Sequence, residues 1–600
     1  MKLKSTLIAL LSLVTFAIQA QTPNEYEISF NNRVHHEANI KVKFSNLENK
    51  VLEVRMSRSS PGRYAVHEFA KNVYGVSATD SKGNALTVTR SNTSQWNITG
   101  HDGTVNFEYT LYANRAGGTY SGIDELHAHL NIPATFVWAR DLGHRPVHLK
   151  VNLPEASNWK VATQLRDEGN DTYYAPDTYY FMDSPILMAD LHMRERVIDG
   201  QKIRLALNTP ATDAEVDTYF EEVIRIVEQQ KAVFGELPKF DFGEYTFLSN
   251  YMPNASGDGM EHRNSTFVVS SKPLNRPLGN TSMGTMSHEF FHAWNVERIR
   301  PASLEPFDFE DANMSGELWF AEGFTSYYTN LIRARSGNIT KEQYVNGLGG
   351  AVNYVMNAPG RKYFSPIEMS YRAPFVDAAA SIDPTNNNNI FISYYTYGSV
   401  IGLALDMSLR TMDNGKSLDG YMQHVWKTHG KSEIPYSVRD LQARLGEYAG
   451  EAFANDFFGK HIFNSEMPDY QSLFKKMGVN FDRTNEGGTT LGGNLRLRDG
   501  YAQLTSNAIV GSPLYDAGIE REDKIEAIAG IRMEDIEKLN IREILSQYKP
   551  GDDIEISLDR WGKGLWKKVT LAEDMSRRTS WNGEADAAAQ KRRDDWLRKK

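Results

Sequence analysis

The chain of 600 residues contains no cysteine. Disulfides are thereby excluded, the fold has to be held by core burial, and a metal site would have to be built from His, Asp and Glu. An excess of positive charge is also missing. The formal net charge is −10, the opposite of what a nucleic-acid partner attracts. Beyond the first twenty residues no apolar run is long enough to span a bilayer, so no stable membrane span is expected. What remains is ordinary for a globular protein: 40% hydrophobic and 24% charged residues. The length exceeds one core and, at ~150 residues each, predicts about four domains.

The N-terminus is an address. Met1-Lys2-Leu3-Lys4 is basic, residues 7–18 are apolar but too short for a span, and Ala20 is a small residue ahead of Gln21. This pattern predicts a secretory signal peptide over residues 1–20 and a chain secreted across an inner membrane into a periplasm.

The chemistry is concentrated at His288-Glu289-Phe290-Phe291-His292. On a helix, residues four apart share a face, so His288 and His292 can hold one Zn²⁺ between them. Glu289 is then placed to act as general base on a zinc-bound water. Zinc of this kind needs a third protein ligand and an open position. Glu322, within the apolar run Trp319-Phe320-Ala321-Glu322-Gly323-Phe324, is the candidate, giving one zinc per chain. The apolar flanks Phe290, Phe291 and Trp294 predict a buried helix, where paired histidines beside a carboxylate are rarely idle. Glu317 is left open between orienting a ligand histidine and solvation. Arg298 and Arg300 are expected to serve structure.

Residues 288–301 read His-Glu-Phe-Phe-His-Ala-Trp-Asn-Val-Glu-Arg-Ile-Arg-Pro. This resembles the glycyl aminopeptidase family of zinc metallopeptidases, distant relatives of aminopeptidase N with a C-terminal PDZ domain. The likeness covers most of the chain and is strongest between residues 257 and 402. It implies removal of small N-terminal residues, glycine and alanine first, from peptides with a free N-terminus. Gly257-Asp258-Gly259-Met260-Glu261-His262 resembles the Gly-x-Met-Glu-Asn loop of aminopeptidase N relatives, with His262 in place of Asn. The resemblance implies that Gly259, Met260 and Glu261 bind substrate and that Glu261 holds the α-ammonium, a charge-assisted pairing. Tyr394-Tyr395-Thr396-Tyr397-Gly398 is similar to their Tyr-x-Lys-Gly. Tyr395 then corresponds to the tyrosine that stabilises the oxyanion, with Tyr394 one residue away and Tyr397 replacing Lys.

Taken in order, the chain is expected to be multidomain α+β. Residues 21–195 alternate apolar and polar, as at Val105, Phe107, Tyr109 and Leu111, and predict an N-terminal β-sandwich. Within it His127 and His129 straddle Ala128; a polar strand face or an interdomain contact is favoured there over a metal. Residues 196–481 read as a thermolysin-like zinc peptidase domain with a helical C-terminal part. Thr212-Asp213-Ala214-Glu215 is a capping box, Val216, Phe220, Val223 and Val227 follow at helical spacing, and Gly235 ends the helix. Residues 377–389 look like an insertion loop. Residues 482–575, containing Gly511-Ser512-Pro513-Leu514 and Asp523-Lys524-Ile525, resemble a bacterial protease PDZ domain, with Leu491-Gly492-Gly493-Asn494-Leu495 as its carboxylate loop for a peptide C-terminus. Residues 576–600 form a basic tail, expected to be a frayed end. The rival functions are a zinc endopeptidase with an open cleft and a non-catalytic peptide-binding protein.

Overall fold

A computed structural model describes residues 22–274, 282–376, 385–412 and 414–600. The signal-peptide expectation and most of the 377–389 loop lie outside these residues. No helix among the described residues is long and apolar enough to cross a membrane.

The N-terminal region is β-rich. Its seven-stranded sheet has Asn24–Ser29 paired in parallel with Val147–Asn152 and antiparallel with Glu37–Phe44, which in turn pairs with Val105–Tyr112. Val105–Tyr112 alternates buried and half-buried residues, as its sequence demands. A four-stranded sheet containing Leu52–Arg55 and Gln95–Thr99 shares its core, where Ile28, Val42, Val54, Ile98 and Phe107 are buried together.

A second four-stranded sheet, ordered Lys160–Thr163, Ile186–Ala189, His127–Leu130, Gly122–Ile123, has another task. Ala162, Leu187 and Ala189 pack against Ala206, Leu248, Phe267 and Val269 of the next region. His129 stacks on Phe267 at 5.1 Å between ring centroids, and His127 Nδ1 lies 2.9 Å from Asp124. Neither histidine joins a metal-holding group among the described residues. His129 joins the contact with the next region, whereas His127 pairs within its own.

That next region is a five-stranded sheet in the order His192–Ile198, Gln201–Asn208, Glu244–Tyr251, Ser265–Ser270, Asp258–His262. The middle three strands are parallel and both outer strands antiparallel. Ser265–Ser270 is buried throughout because one face meets the N-terminal sheet and the other meets helices. The helix Asp213–Phe234 begins at a complete Thr212–Glu215 capping box and ends at Gly235, whose φ is +89°. The histidine helix, Met283–Phe291, lies on the helical side of the sheet.

Two further helices, Leu318–Arg335 and Tyr394–Arg410, cross through Gly323 and Gly398. A Cβ at Gly323 would collide with Gly398 Cα, and one at Gly398 with the Trp319 carbonyl. The helices therefore pack backbone to backbone, which fixes Glu322 and Tyr395 relative to each other.

The C-terminal unit is a six-stranded sheet with its own core of Leu504, Ile525, Ile556, Leu558 and Val569. The chain enters through Val479–Arg483 and leaves through Arg577–Trp581, and these two strands pair antiparallel. Asn389 bonds to Ala508 and Val510 of this unit. The tail departs from expectation. Residues 577–581 form that strand, Ala587–Leu597 is a helix, and Trp596 and Leu597 are fully buried. Composition hid this because two large apolar side chains, rather than the surrounding lysines and arginines, decide where the helix docks.

Candidate metal centre and substrate cleft

The histidine helix presents His288 and His292 on one face, and the next helix brings Glu322 to them. Glu322 Oε2 lies 3.3 Å from His288 Nε2 and 3.3 Å from His292 Nε2. Both tautomers follow from the partners of the other ring nitrogens. His292 Nδ1 donates to the Asn295 carbonyl at 2.6 Å, since a carbonyl can only accept. The Thr329 hydroxyl donates to Thr325 O, so it accepts from His288 Nδ1 at 3.2 Å. With Nδ1 engaged in this way, Nε2 is the nitrogen that each ring turns toward the Glu322 carboxylate and the one that is free to ligate a metal in the neutral tautomer.

Two imidazole nitrogens and a carboxylate oxygen facing one point call for a cation, which is either a proton on a ring nitrogen or a metal ion. Two imidazoles and one carboxylate are the donor set that zinc takes in open, catalytic sites, and the residues fit the ion. The surrounding charge agrees. Glu289, Glu261 and His292 offer ligand atoms within 4.8 Å of one another, so three carboxylates gather around two imidazoles. Burial, with Glu261 and Glu322 nearby, pushes the Glu289 carboxyl well above its usual value. Burial also pushes Glu261 up, against the pull of His292. Burial opposes a charged His292, but Glu322 and Glu261 outweigh it and raise its pKa to about 10. Burial likewise opposes a charged Glu322, yet the two histidines hold it below the carboxylate range.

The edge strand Asp258–His262 forms the wall facing this cluster. A Cβ at Gly259 would run into the Glu289 carboxylate, so glycine lets the strand lie directly against it. Successive side chains alternate. Gly259 and Glu261 face the cluster, whereas Met260 is fully buried at the back, with its sulfur 4.0 Å from Ser60 Oγ. His262 also turns away and pairs with Asp183 at 2.8 Å. Its departure from Asn therefore leaves the cleft untouched.

Tyr395 is partly exposed, its ring 5.9 Å from that of His288, while Tyr394 is buried edge-on to Tyr64. Tyr397 lies in the core. Glu317 does not reach a histidine; it accepts from Ser303 and Ser315. Arg298 caps four carbonyl-type acceptors, including Lys239 O and Asn264 Oδ1, and Arg300 bonds Tyr179 and Leu304 O. Both are structural.

Several site residues escaped the sequence. Asn295, three positions after His292, ties the two helices by donating to Phe320 O and Ala321 O. Thr329 lies seven positions after Glu322. More distant still is the loop at residues 60–64, legible only as a turn. Its Arg63 bonds Asp258 and, at 3.1 Å, the Gly259 carbonyl, while the Tyr64 hydroxyl donates to Glu322 Oε1 at 2.6 Å.

A His-Glu-x-x-His helix, a carboxylate from the following helix and a glycine-bearing antiparallel edge strand define a metallopeptidase. Comparison with known proteins agrees. Residues 25–190 match the Peptidase M61 N-terminal domain and residues 281–401 match M61 glycyl aminopeptidase. Both stretches are thus similar to the M61 peptidase family. Among solved structures it is similar to an aminopeptidase N family protein from Idiomarina loihiensis, at 25% identity and a TM-score of 0.85, covering 96% of this chain and 100% of that one. An M1 zinc metallopeptidase from Deinococcus radiodurans matches at 14% identity and a TM-score of 0.42, covering 75% of this chain and 95% of that one. Yeast LTA4 hydrolase matches at 14% and 0.43, covering 76% and 70%. No curated protein matches.

Proposed function

We propose that the protein is a zinc-dependent aminopeptidase that removes small N-terminal residues, glycine and alanine first, from peptides. The observation that carries this is the seating of Glu261 beside the His288–His292–Glu322 cluster, with ligand atoms of Glu261, Glu289 and His292 all within 4.8 Å. Three carboxylates are neutralised by one dication and one ammonium. A peptide with a free N-terminus supplies the second cation, and a blocked one leaves Glu261 buried and unpaired, which is unfavourable.

His288, His292 and Glu322 would hold one zinc per chain. Bound there, the ion supplies Lewis acidity, making a water more acidic and polarising the scissile carbonyl. Glu289 removes a proton from the attacking water and returns it to the leaving amine. A carboxylate with a raised pKa suits both directions of transfer. Glu261 holds the α-ammonium and so sets the cut one residue from the end. Tyr395, partly exposed beside His288, donates to the oxyanion as charge develops on it. Tyr394 is the less suitable neighbour because it is buried against Tyr64. A small P1 residue is supported by the family's glycyl name.

The rest of the chain is assigned as an exported leader over residues 1–20, a periplasmic enzyme, and units at 21–195, 196–481 and 482–575. The last is a PDZ-type module for a peptide C-terminus, supported by its separate core. The test is zinc content by mass spectrometry alongside hydrolysis of glycyl, alanyl and leucyl anilides. One zinc per chain, with glycyl and alanyl substrates cleaved fastest and a chelator stopping both, is expected. Zinc-loaded protein that cleaves none of them, or cuts only internal bonds of blocked peptides, contradicts it.

A further inference from the structure

Each nitrogen ligand of the metal centre is steadied from within the peptidase region: His292 by Asn295 O and His288 by Thr329. The carboxylate ligand is steadied from elsewhere. The Tyr64 hydroxyl, 258 positions earlier in the chain, donates to Glu322 Oε1 at 2.6 Å, while Oε2 is the atom 3.3 Å from both histidines. We propose that Tyr64 is a positioning residue of the metal centre: by occupying Oε1 it reserves Oε2 for the ion, so that the N-terminal β region completes the active site. This inference rests on the zinc-site reading above.

The loop carrying Tyr64 is built to hold that hydroxyl in place. Its start is fixed by the amides of Arg58 and Ser59, which donate to the Phe309 carbonyl at 2.7 and 3.2 Å. Ser60 Oγ contacts Asn131 Nδ2 at 3.1 Å. Gly62, at φ +76°, lets the chain press onto Met260 and Glu261 without a side chain between. Arg63 then clamps the edge strand through Asp258 and the Gly259 carbonyl, and Thr119 holds its Nε at 2.7 Å. Tyr64 itself is buried, its ring edge-on to Tyr394 at 6.1 Å. One five-residue loop thus touches both the strand that carries Glu261 and the carboxylate ligand. A tyrosine that served packing alone would not need its hydroxyl aimed at the one ligand with two equivalent oxygens. Groups that orient a ligand in this way commonly change metal affinity ~10–100-fold when removed.

The test is zinc affinity by chelator competition on the full chain, for wild type and Tyr64→Phe, with the melting of metal-free protein measured alongside. A loss of ~10–100-fold is expected with metal-free melting unchanged. The Co²⁺-substituted protein should show an altered visible spectrum, reporting changed carboxylate geometry. In a Glu322→Gln background Tyr64→Phe should have little further effect, because the cycle isolates the coupling between the two. Affinity within twofold of wild type, or an equal loss in both backgrounds, overturns the proposal. Should removal of the hydroxyl prevent folding, 3-fluorotyrosine incorporated at this site keeps ring and hydroxyl while strengthening the donor. A changed zinc dissociation rate is then expected, and an unchanged rate overturns it. Wild-type protein that binds no zinc refutes the metal-centre reading as well; tight wild-type binding with no effect of Tyr64→Phe refutes this inference alone.

Discussion

The protein buries two dense clusters of charge, and they are built on opposite plans. Around His292 three carboxylates converge on two imidazoles. Behind it, on the far end of the Leu318–Arg335 helix, Asp419 meets Arg335 at 3.0 Å and Lys600 at 3.3 Å, and accepts from Tyr328. Next to it Asp406 accepts from Arg410 at 2.9 Å and from Tyr327 at 2.6 Å. Here two carboxylates face three cations and the hydroxyls fill in. The second cluster pins the C-terminal helix, because Arg335 also donates to Trp596 O and Trp596 Nε1 donates to Tyr327. Burial of charge is common to both and so distinguishes nothing. The sign of the imbalance does: cations outnumber carboxylates in the fastening, whereas carboxylates are in excess around His292, the excess that a dication and an ammonium would neutralise in the function proposed above.

The sharpest way to break this contrast is at the metal. Glu322→Ala should lose stoichiometric zinc, measured by mass spectrometry after dialysis, and with it all cleavage. Retained zinc would move the third ligand elsewhere. Glu289→Gln should keep the zinc and lower kcat by ~10²–10⁴, the usual contribution of a general base. A turnover within tenfold of wild type would remove Glu289 from that role.

Asp419→Ala addresses the other cluster. It leaves Arg335 buried without its carboxylate partner, so unfolding in denaturant should show a loss of ~3–5 kcal/mol. Zinc affinity of the folded fraction should not change. A variant that lost zinc instead would merge two clusters held here to be independent. The smallest effect is on pH. Burial opposes a charged Asp419, but Arg335, Arg410 and Lys600 outweigh it and hold its pKa well below that of an unfolded aspartate, ~3.9. Its contribution to stability is therefore fully present above about pH 4 and is lost as pH falls through the lowered folded value. Asp419→Asn should flatten acid unfolding below pH 4; an unchanged slope would argue that the pairing contributes nothing.

How much of this was legible beforehand follows from the range of the interactions. His288, Glu289 and His292 lie within one helical turn, so spacing alone exposes them. Glu322 is visible because apolar residues surround it. The Thr212–Glu215 capping box and the alternation of Val105–Tyr112 are likewise local, and the helix and strand form where those signals stand. Glu317, left open between two roles, takes neither, because it sits at the helix N-terminus, where nearby serines satisfy it. The tail misled because its charge is plentiful and its two anchoring side chains, Trp596 and Leu597, are few. Tyr64 and Arg63 carry no local signal at all: their partners are 258 and about two hundred positions away, and only the packing of the N-terminal sheet on Phe267 and Leu248 brings them home.

The central claim is that the acceptor excess is filled by a metal ion and a substrate ammonium together. It is tested most directly by comparing hydrolysis of glycyl anilide with that of its N-acetylated twin, by zinc-loaded wild type and by Glu261→Ala. The account predicts that wild type cleaves only the free amine, that a chelator abolishes this, and that Glu261→Ala loses most of the preference while keeping its zinc. Equal cleavage of both twins by wild type, or a preference undiminished in Glu261→Ala, would contradict it.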